Sequence, residues 1–376
     1  MKKIRILFIG PTYMGKTTQE RIENIREIGS IEVGLLSPKK WKSKDYKTCK
    51  KLEKGFSHIE YFPSGVLLNG MDGGHIYNPI TVFKAIKKFK PDLIYFDQEV
   101  FSLSAFEMAI FSKFFSIPLV AVNAENIMDK KLSFIRKYTR KFVLETAKAI
   151  RVECKGGEYC LRNWGYKGYL APIPFEINTK KFYPGRDKKK EFVIGYVGRL
   201  TYKKGLDVLL KAAQKLKKEN FQFKVVIVGE GPEKNKLKAL SKYLDIENKV
   251  SWKETIEFDK VPEVMRNFDS FVLPSRAGRI WKEQFGRVII EAMASGVPVI
   301  GTMSGSIPEV IGRNDMLFPE DDDEKLAEII KKLMTDKKFK KEIEEYNVKR
   351  AKKEFSLEVV IKKYIDLFRE ILGKKE

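Results

Sequence analysis

Two hydrophobic rhythms alternate along this chain. Short unbroken apolar runs recur between longer stretches in which apolar residues return every three or four positions. Ile4-Arg-Ile-Leu-Phe-Ile-Gly10 is the first run, and it predicts a strand covered on both faces, as in a parallel sheet. A turn over 10–17 and a helix over 18–28 follow, then a lysine-rich loop or helix over 39–54. The pattern continues with a helix over 82–89, a strand at Asp92-Leu-Ile-Tyr-Phe-Asp97 and a helix ending before Pro118. A strand at Leu119-Val-Ala-Val122 and a basic amphipathic helix over 131–149 complete this half. Strands that alternate with helices are the mark of a parallel α/β sheet.

The pattern then restarts. Tyr169-Leu-Ala-Pro-Ile-Pro174 leads into a polar stretch over 178–190, which reads as an interdomain linker. New strands are predicted at Phe192-Val-Ile-Gly-Tyr-Val-Gly198, Phe223-Lys-Val-Val-Ile-Val-Gly229 and Ser270-Phe-Val-Leu-Pro274. Helices are predicted over 206–218, over 262–268 with Pro262 in the first turn, and over 286–295 with Gly296 as its C-terminal cap. Pro298 opens another strand, and helices over 324–346 and 357–372 close the chain. A length of 376 residues suits two domains. The expected division is 1–175, a linker over 176–191, a second domain over 192–355, and a terminal segment 356–376.

Composition narrows the setting. Met-Lys-Lys-Ile-Arg leads into a short strand, not into the long apolar core of a secretory signal. The most apolar window, 101–122, contains Glu107, Lys113 and Pro118, and reads as a buried helix and strand rather than a membrane span. Cys49, Cys154 and Cys160 are odd in number and lack metal-ligand spacing, which predicts reduced thiols in a cytoplasmic protein. Lys and Arg number 73 against 50 acids, a net charge of +23, so the chain draws anions such as nucleotides or an acidic membrane face.

The chemistry concentrates in the second half. In Trp281-Lys-Glu-Gln-Phe-Gly-Arg-Val-Ile-Ile-Glu291, Glu283 and Glu291 flank a Phe-Gly entry into a short helix. A helix start offers unpaired N–H groups and a positive dipole end to an anion. A carboxylate there suits sugar hydroxyls instead, which it can accept hydrogen bonds from. The pair predicts a ligand that is both phosphorylated and rich in hydroxyls. Gly195-Tyr-Val-Gly-Arg-Leu-Thr-Tyr-Lys-Lys-Gly205 places Arg199 and Lys204 behind a tight loop, where they can neutralise a diphosphate. Cations there would stabilise the charge that grows on a departing nucleoside diphosphate. Val228-Gly-Glu-Gly-Pro232 follows another strand, at the sheet edge where α/β ligands bind.

Read in order, Gly198-Arg199…Lys204-Gly205, Val228-Gly-Glu-Gly-Pro232, Pro274-Ser275, Glu283-Gln-Phe-Gly…Glu291, Ala294-Ser-Gly-Val-Pro-Val299 and Gly305-Ser-Ile-Pro-Glu309 resemble glycosyltransferase family 4. The resemblance covers 192–312 closely. It is looser at Phe96-Asp-Gln-Glu99 and at Gly165-Tyr-Lys-Gly168 with Pro172-Ile-Pro174. It implies the GT-B fold: two Rossmann-like α/β domains, each with a parallel sheet, facing across a cleft. It implies that Arg199 and Lys204 hold the donor diphosphate, that Glu291 binds the ribose and that Glu283 contacts the transferred sugar. The backbone of Phe285, Gly286, Arg287 and Val288 would line the pocket, with Gly15 near the donor phosphate or acceptor. The family retains anomeric configuration and needs no bound metal, so no cofactor is expected beyond the nucleotide-sugar donor. The acceptor would be a glycan or a lipid-linked glycan. Two carboxylates eight residues apart across a helix start do not suit double displacement, which needs them on opposite sides of one bond. Front-face transfer assisted by the leaving phosphate is expected. The family often carries a His after the strand equivalent to 119–122. Here that segment is Ala121-Val-Asn-Ala-Glu-Asn126, so the role is not carried over; Glu125 or Asn126 would face the cleft.

A rival motif stands at Gly10-Pro-Thr-Tyr-Met-Gly-Lys-Thr17, which fits the P-loop pattern and would make an NTPase. It leaves 192–312 unexplained. Lys39, Lys40, Lys42, Lys44, Lys47, Lys50, Lys51 and Lys54, with Trp41 and Tyr46, form one basic segment; Arg136, Lys137, Arg140 and Lys141, with Phe134 and Phe142, form another. Each is either a solvated face or a patch for anionic lipid. No nucleic-acid-binding module accompanies the charge.

Overall fold

The computed structural model describes residues 3–43, 48–71, 73–185 and 191–374. Lys44, Tyr46 and Lys47 of the first basic segment, and 186–190 of the expected linker, lie outside the described residues. The chain divides into two compact units: Met1–Pro174 with Val360–Glu376, and Phe175–Val359.

The first unit holds a seven-stranded parallel sheet. Its order is Tyr169–Pro172, Ala149–Val152, Leu119–Asn123, Leu93–Glu99, Arg5–Ile9, Glu32–Pro38, Glu60–Ser64. The first strand sits inside this sheet, and its Ile6, Leu7, Phe8 and Ile9 are all buried because helices cover both faces. Three of these strands are hard to read from sequence. Glu32–Pro38 contains Gly34 and Pro38, which resemble breakers. At Gly34 the space is tight: a Cβ would come within 3.1 Å of the Leu7 side chain and 3.2 Å of Phe89. Glu60–Ser64 tolerates Pro63 as an edge strand. Ala149–Val152 follows its helix so closely that the helical pattern over 131–149 runs into it.

Several expected elements change on inspection. Within the stretch 39–54, expected as loop or helix, Lys40–Ser43 and Thr48–Lys51 pair as antiparallel strands, and the Trp41 ring packs edge-on against His75 at 4.9 Å. The helix expected over 131–149 spans Phe134–Thr146; Ser133 caps its start, and Ala147 turns extended to enter the next strand. The single helix expected over 324–346 is two, Asp323–Thr335 and Lys337–Arg350. Asp336 breaks them because its carboxylate accepts from Phe339 N at 2.9 Å, capping the second helix. Cys154 and Cys160 are buried, and Cys49 is exposed.

The second unit holds a six-stranded parallel sheet in the order Val250–Lys253, Phe223–Val228, Phe192–Val197, Ser270–Leu273, Val299–Thr302, Leu317–Phe318. Much of the stretch expected as linker is part of this unit. Ile177 and Phe182 are buried in its core, and Ile177 N donates to Phe355 O while Leu357 N donates to Ile177 O.

The closing helix Leu357–Ile371 belongs, from Val360 onward, to the first unit. Phe368 meets Phe8 and Tyr95 at centroid distances of 6.0 and 5.9 Å, and Tyr364 meets Tyr95 at 5.8 Å. A buried Arg151 lies 5.7 Å from the Tyr364 ring, its Nε bonded to Ile173 O at 2.9 Å and its Nη1 paired with Glu153 at 3.1 Å. The first sheet is thus closed by the last residues of the chain. Phe368→Ala is expected to destabilise the first unit by about 3–5 kcal/mol through the cavity it leaves, measured as an earlier urea transition.

Candidate functional site

In a parallel sheet the loops that follow the strands gather at one edge. Four such loops of the second unit carry the residues singled out from sequence. They meet backbone to backbone. Gly205 lies at φ +64°, and a Cβ there would stand 1.9 Å from Pro274 O. Gly305 lies at φ +54°, and its Cβ would stand 2.3 Å from Glu283 O. Gly229 presses on Gly198, with 2.0 Å between a built Cβ and the Gly198 carbonyl oxygen. Only glycine permits these approaches. The motif glycines therefore serve to join loops, in addition to turning them.

At this junction Glu283 is buried and its Oε2 accepts two hydrogen bonds. Lys204 Nζ donates at 2.6 Å and Ser275 Oγ at 3.1 Å. The Glu283 carbonyl accepts from Ser306 N at 3.0 Å. Two loops thus hold the carboxylate, and a third holds the backbone of the same residue. The Lys204 ammonium also lies 5.1 Å from the Trp281 ring, and Lys203 lies 4.4 Å from it. Arg199 is exposed on the loop that carries Lys204. Its carbonyl accepts from the buried Tyr196 hydroxyl at 3.1 Å. Burial, then the nearby Glu283 charge, holds that hydroxyl well above its usual pKa, so it stays a donor.

Gly286 opens the helix Arg287–Ala294, and no side chain caps its first turn. That leaves a helix N-terminus of the kind anions seek. Glu291 lies one turn in, buried, with Arg287 Nε 3.5 Å from its Oε1. Burial pushes its carboxyl up to about 7, with Arg287 opposing. Val288 is half-buried. Phe285 differs from its neighbours: its side chain turns into the core, against Phe175 at 5.3 Å and Phe355 at 5.9 Å, so only its backbone can border a ligand.

Two positioning residues escaped the sequence reading. Ser275 stood in a noted Pro-Ser pair, but its bond to Glu283 was not visible there. Arg276 had no signal at all. Its guanidinium grips Asp207 with Nη1 and Nη2 at 2.8 and 2.7 Å, Asp321 with Nε at 2.5 Å, and donates to Tyr202 O at 3.2 Å. It pins the loop after Ser270–Leu273 to the turn Tyr202–Lys204. Partners 45 to 74 residues away leave no local pattern.

The P-loop reading fails on geometry. Pro11–Met14 form a short turn that buries Tyr13 and Met14 instead of cradling a phosphate. Gly15 precedes a helix start already met by a carboxylate: Lys16 N donates to Glu53 Oε2 at 2.9 Å. The Lys16 ammonium lies 5.8 Å from the Phe56 ring. An anion is repelled where Glu53 sits. Also in the first unit, Glu125 pairs with Lys130 and accepts from Ile127 N at 3.0 Å, and Asn126 is buried. Burial, then the charges of Glu125 and Glu153, pushes Glu99 up to about 8. Among the described residues no group of three or more His, Cys, Asp or Glu is placed to hold a metal.

Two Rossmann-like units, the second with glycine-joined loops around paired cations and acids, define the class as GT-B. Residues 178–350 match the family of glycosyl transferases group 1. The gpi3 subunit of phosphatidylinositol N-acetylglucosaminyltransferase from Schizosaccharomyces pombe is 28% identical over 184 residues, 47% of this chain and 39% of that protein. An uncharacterized glycosyltransferase of Methanocaldococcus jannaschii is 29% identical over 209 residues, 53% of this chain and 50% of that protein. The chain spans about half the length, or less, of these curated relatives. Among solved structures, Anabaena HepE in complex with UDP aligns with a TM-score of 0.76 over 98% of this chain and 100% of that one, at 19% identity. Such a likeness speaks for the fold.

The raised Glu291 carboxyl links stability to pH. The unfolded chain loses this proton near the ordinary 4.5 and the folded chain near 7, so folding grows costlier as pH rises between them. Above 7 the cost is on the order of 3 kcal/mol. Glu291→Gln is expected to raise the urea midpoint at pH 8 and to change it little at pH 4.5. A gain equal at both pH values would show that burial of the charge is not the cause.

Proposed function

We propose that the chain is a retaining glycosyltransferase that moves a sugar, of the hexose class, from a nucleotide-sugar to a hydroxyl of a glycan or lipid-linked glycan. The observation that carries this reading is the buried Glu283 carboxylate held by Lys204 and Ser275, beside the uncapped helix start that bears Glu291. The group 1 match and the likeness to a protein solved with UDP support it.

Each residue then has a chemical task. Arg199 and Lys204 hold the donor diphosphate, with the N–H groups from Gly286 to Val288 behind it. Glu291 accepts hydrogen bonds from the ribose and Glu283 from the transferred sugar. The bond between the anomeric carbon and the phosphate oxygen breaks, and the acceptor oxygen bonds to that carbon on the same face. The acceptor proton passes to the leaving phosphate oxygen. Arg199 and Lys204 neutralise the charge that grows there, so the step uses no metal. The protein works at the cytoplasmic side, peripheral to a membrane where its acceptor is lipid-linked.

A thermal-shift panel of nucleoside diphosphates and nucleotide-sugars tests the donor. At least one nucleotide should stabilise the protein by mass action. Lys204→Ala should weaken that nucleotide roughly tenfold or more, the scale of a lost charge-assisted bond. Glu283→Gln should leave the diphosphate's affinity near that of the wild type, while turnover of the sugar nucleotide falls by about 10²-fold. A chain stabilised by no nucleotide would defeat the reading.

The front-face step has its own check. Mass spectrometry of enzyme quenched during turnover should find no sugar attached to Glu283. A glycosyl-Glu283 ester would assign double displacement instead.

A further inference from the structure

Three helices of the first unit carry a continuous band of outward aromatic and aliphatic side chains. Helix Phe134–Thr146 buries Thr139 and Val143, which sets its inward face. Phe134, Tyr138 and Lys141, at spacings of one and two turns, lie on the opposite face, where a surface helix normally carries polar residues. Phe134 is 84% exposed and Tyr138 57%. The Tyr138 ring lies 6.0 Å from Phe106 on helix Leu103–Phe115. Ile110 and Phe114, one and two turns further along that helix, are exposed, Phe114 by 72%. Phe114 meets Phe115 at 5.0 Å, and Phe115 meets Phe83 at 5.4 Å on helix Pro79–Phe89. Ile80, 65% exposed, extends the band by one further turn.

Lysines edge this band. Lys113 lies 4.5 Å from the Phe142 ring and Lys87 lies 5.5 Å from Phe115, so their stems follow the rings and their charges reach water. Lys84, Lys137 and Lys141 are exposed alongside. Of the nearby acids, Glu107 is turned inward and accepts from Tyr77 N at 2.9 Å, while Glu145 is exposed at the end of its helix. An apolar surface this continuous marks a contact site. A second copy would set lysine against lysine. A bilayer with anionic headgroups suits both features: rings enter the boundary between headgroups and acyl chains, and lysines meet the phosphates.

We propose that the band formed by helices Pro79–Phe89, Leu103–Phe115 and Phe134–Thr146 is a docking surface for an anionic lipid bilayer. It deepens the peripheral-membrane part of the proposed function and extends the basic segment around Arg136–Lys141 to two neighbouring helices. In the lysine-rich segment over 39–54, Trp41 is turned against His75. Docking rests on none of the donor chemistry, so vesicle binding and nucleotide binding can fail separately.

The test is cosedimentation of the full chain with vesicles of phosphatidylcholine and phosphatidylglycerol in equal parts, against vesicles of phosphatidylcholine alone. The mixed vesicles should bind at least about tenfold more tightly, and salt at about 0.5 M should remove the difference. The double variant Phe114→Ser with Phe134→Ser should weaken binding roughly tenfold or more, the scale of two lost apolar side chains. Lys137→Glu with Lys141→Glu should weaken it by about 30-fold or more. All four positions are exposed, so the far-ultraviolet circular dichroism of both variants should match the wild type. Equal binding to neutral vesicles, or variants that bind like the wild type, would overturn the proposal. A wild-type dimer that the Phe114→Ser, Phe134→Ser variant dissolves would make the band an interface between copies. Retention on an acidic protein without vesicle binding would make it a protein-docking face.

Discussion

The bond between Lys204 and Glu283 joins residues 79 positions apart, and the second unit is arranged so that it can form. Neither side chain is long enough to find the other unless their loops touch. The loops touch because glycine stands at each crossing, where a methyl group would collide with a carbonyl oxygen about 2 Å away. Arg276 then locks the arrangement from below, through two aspartates and a backbone carbonyl. A carboxylate held this way loses little entropy when it accepts a further hydrogen bond, which is what preorganisation means for a binding site.

The same loops accept a thermodynamic cost. Glu291 is buried beside a single, loosely placed guanidinium, and its carboxyl is pushed up to about 7. A glutamine would fit the space without that penalty. A charge kept where the fold does not want it is characteristic of sites that need it for a ligand. In the first unit, by contrast, the buried charge of Arg151 is answered by Glu153, by a backbone carbonyl and by the face of Tyr364. That cluster is structural: it anchors the returning helix to the sheet. Burial alone therefore does not distinguish a structural charge from a functional one.

The two units also divide their surfaces differently. The second concentrates its polar chemistry at one edge of its sheet. The first spends three helices on an outward face that a freely solvated protein would have made polar. Its lysines lie along rings instead of standing away from them, so charge and apolar area form one surface.

Much of this could be read from the chain alone. Unbroken runs such as Phe192–Val197 pointed to buried parallel strands, and the Phe-Gly pair marked the start of the short helix that carries Glu291. These are local facts, carried by periodicity and by residues close in sequence. The tertiary structure decided the rest. It paired Lys40–Ser43 with Thr48–Lys51 in the lysine-rich segment, since strand pairing there is set by a partner segment and not by local pattern. It placed Glu53 on the start of the helix that the P-loop motif had offered to phosphate. It sent Phe285 into the core and brought Ser275 and Arg276 to the site. Which side chains meet across 45 or 79 residues depends on how loops pack, and no spacing along a chain records that.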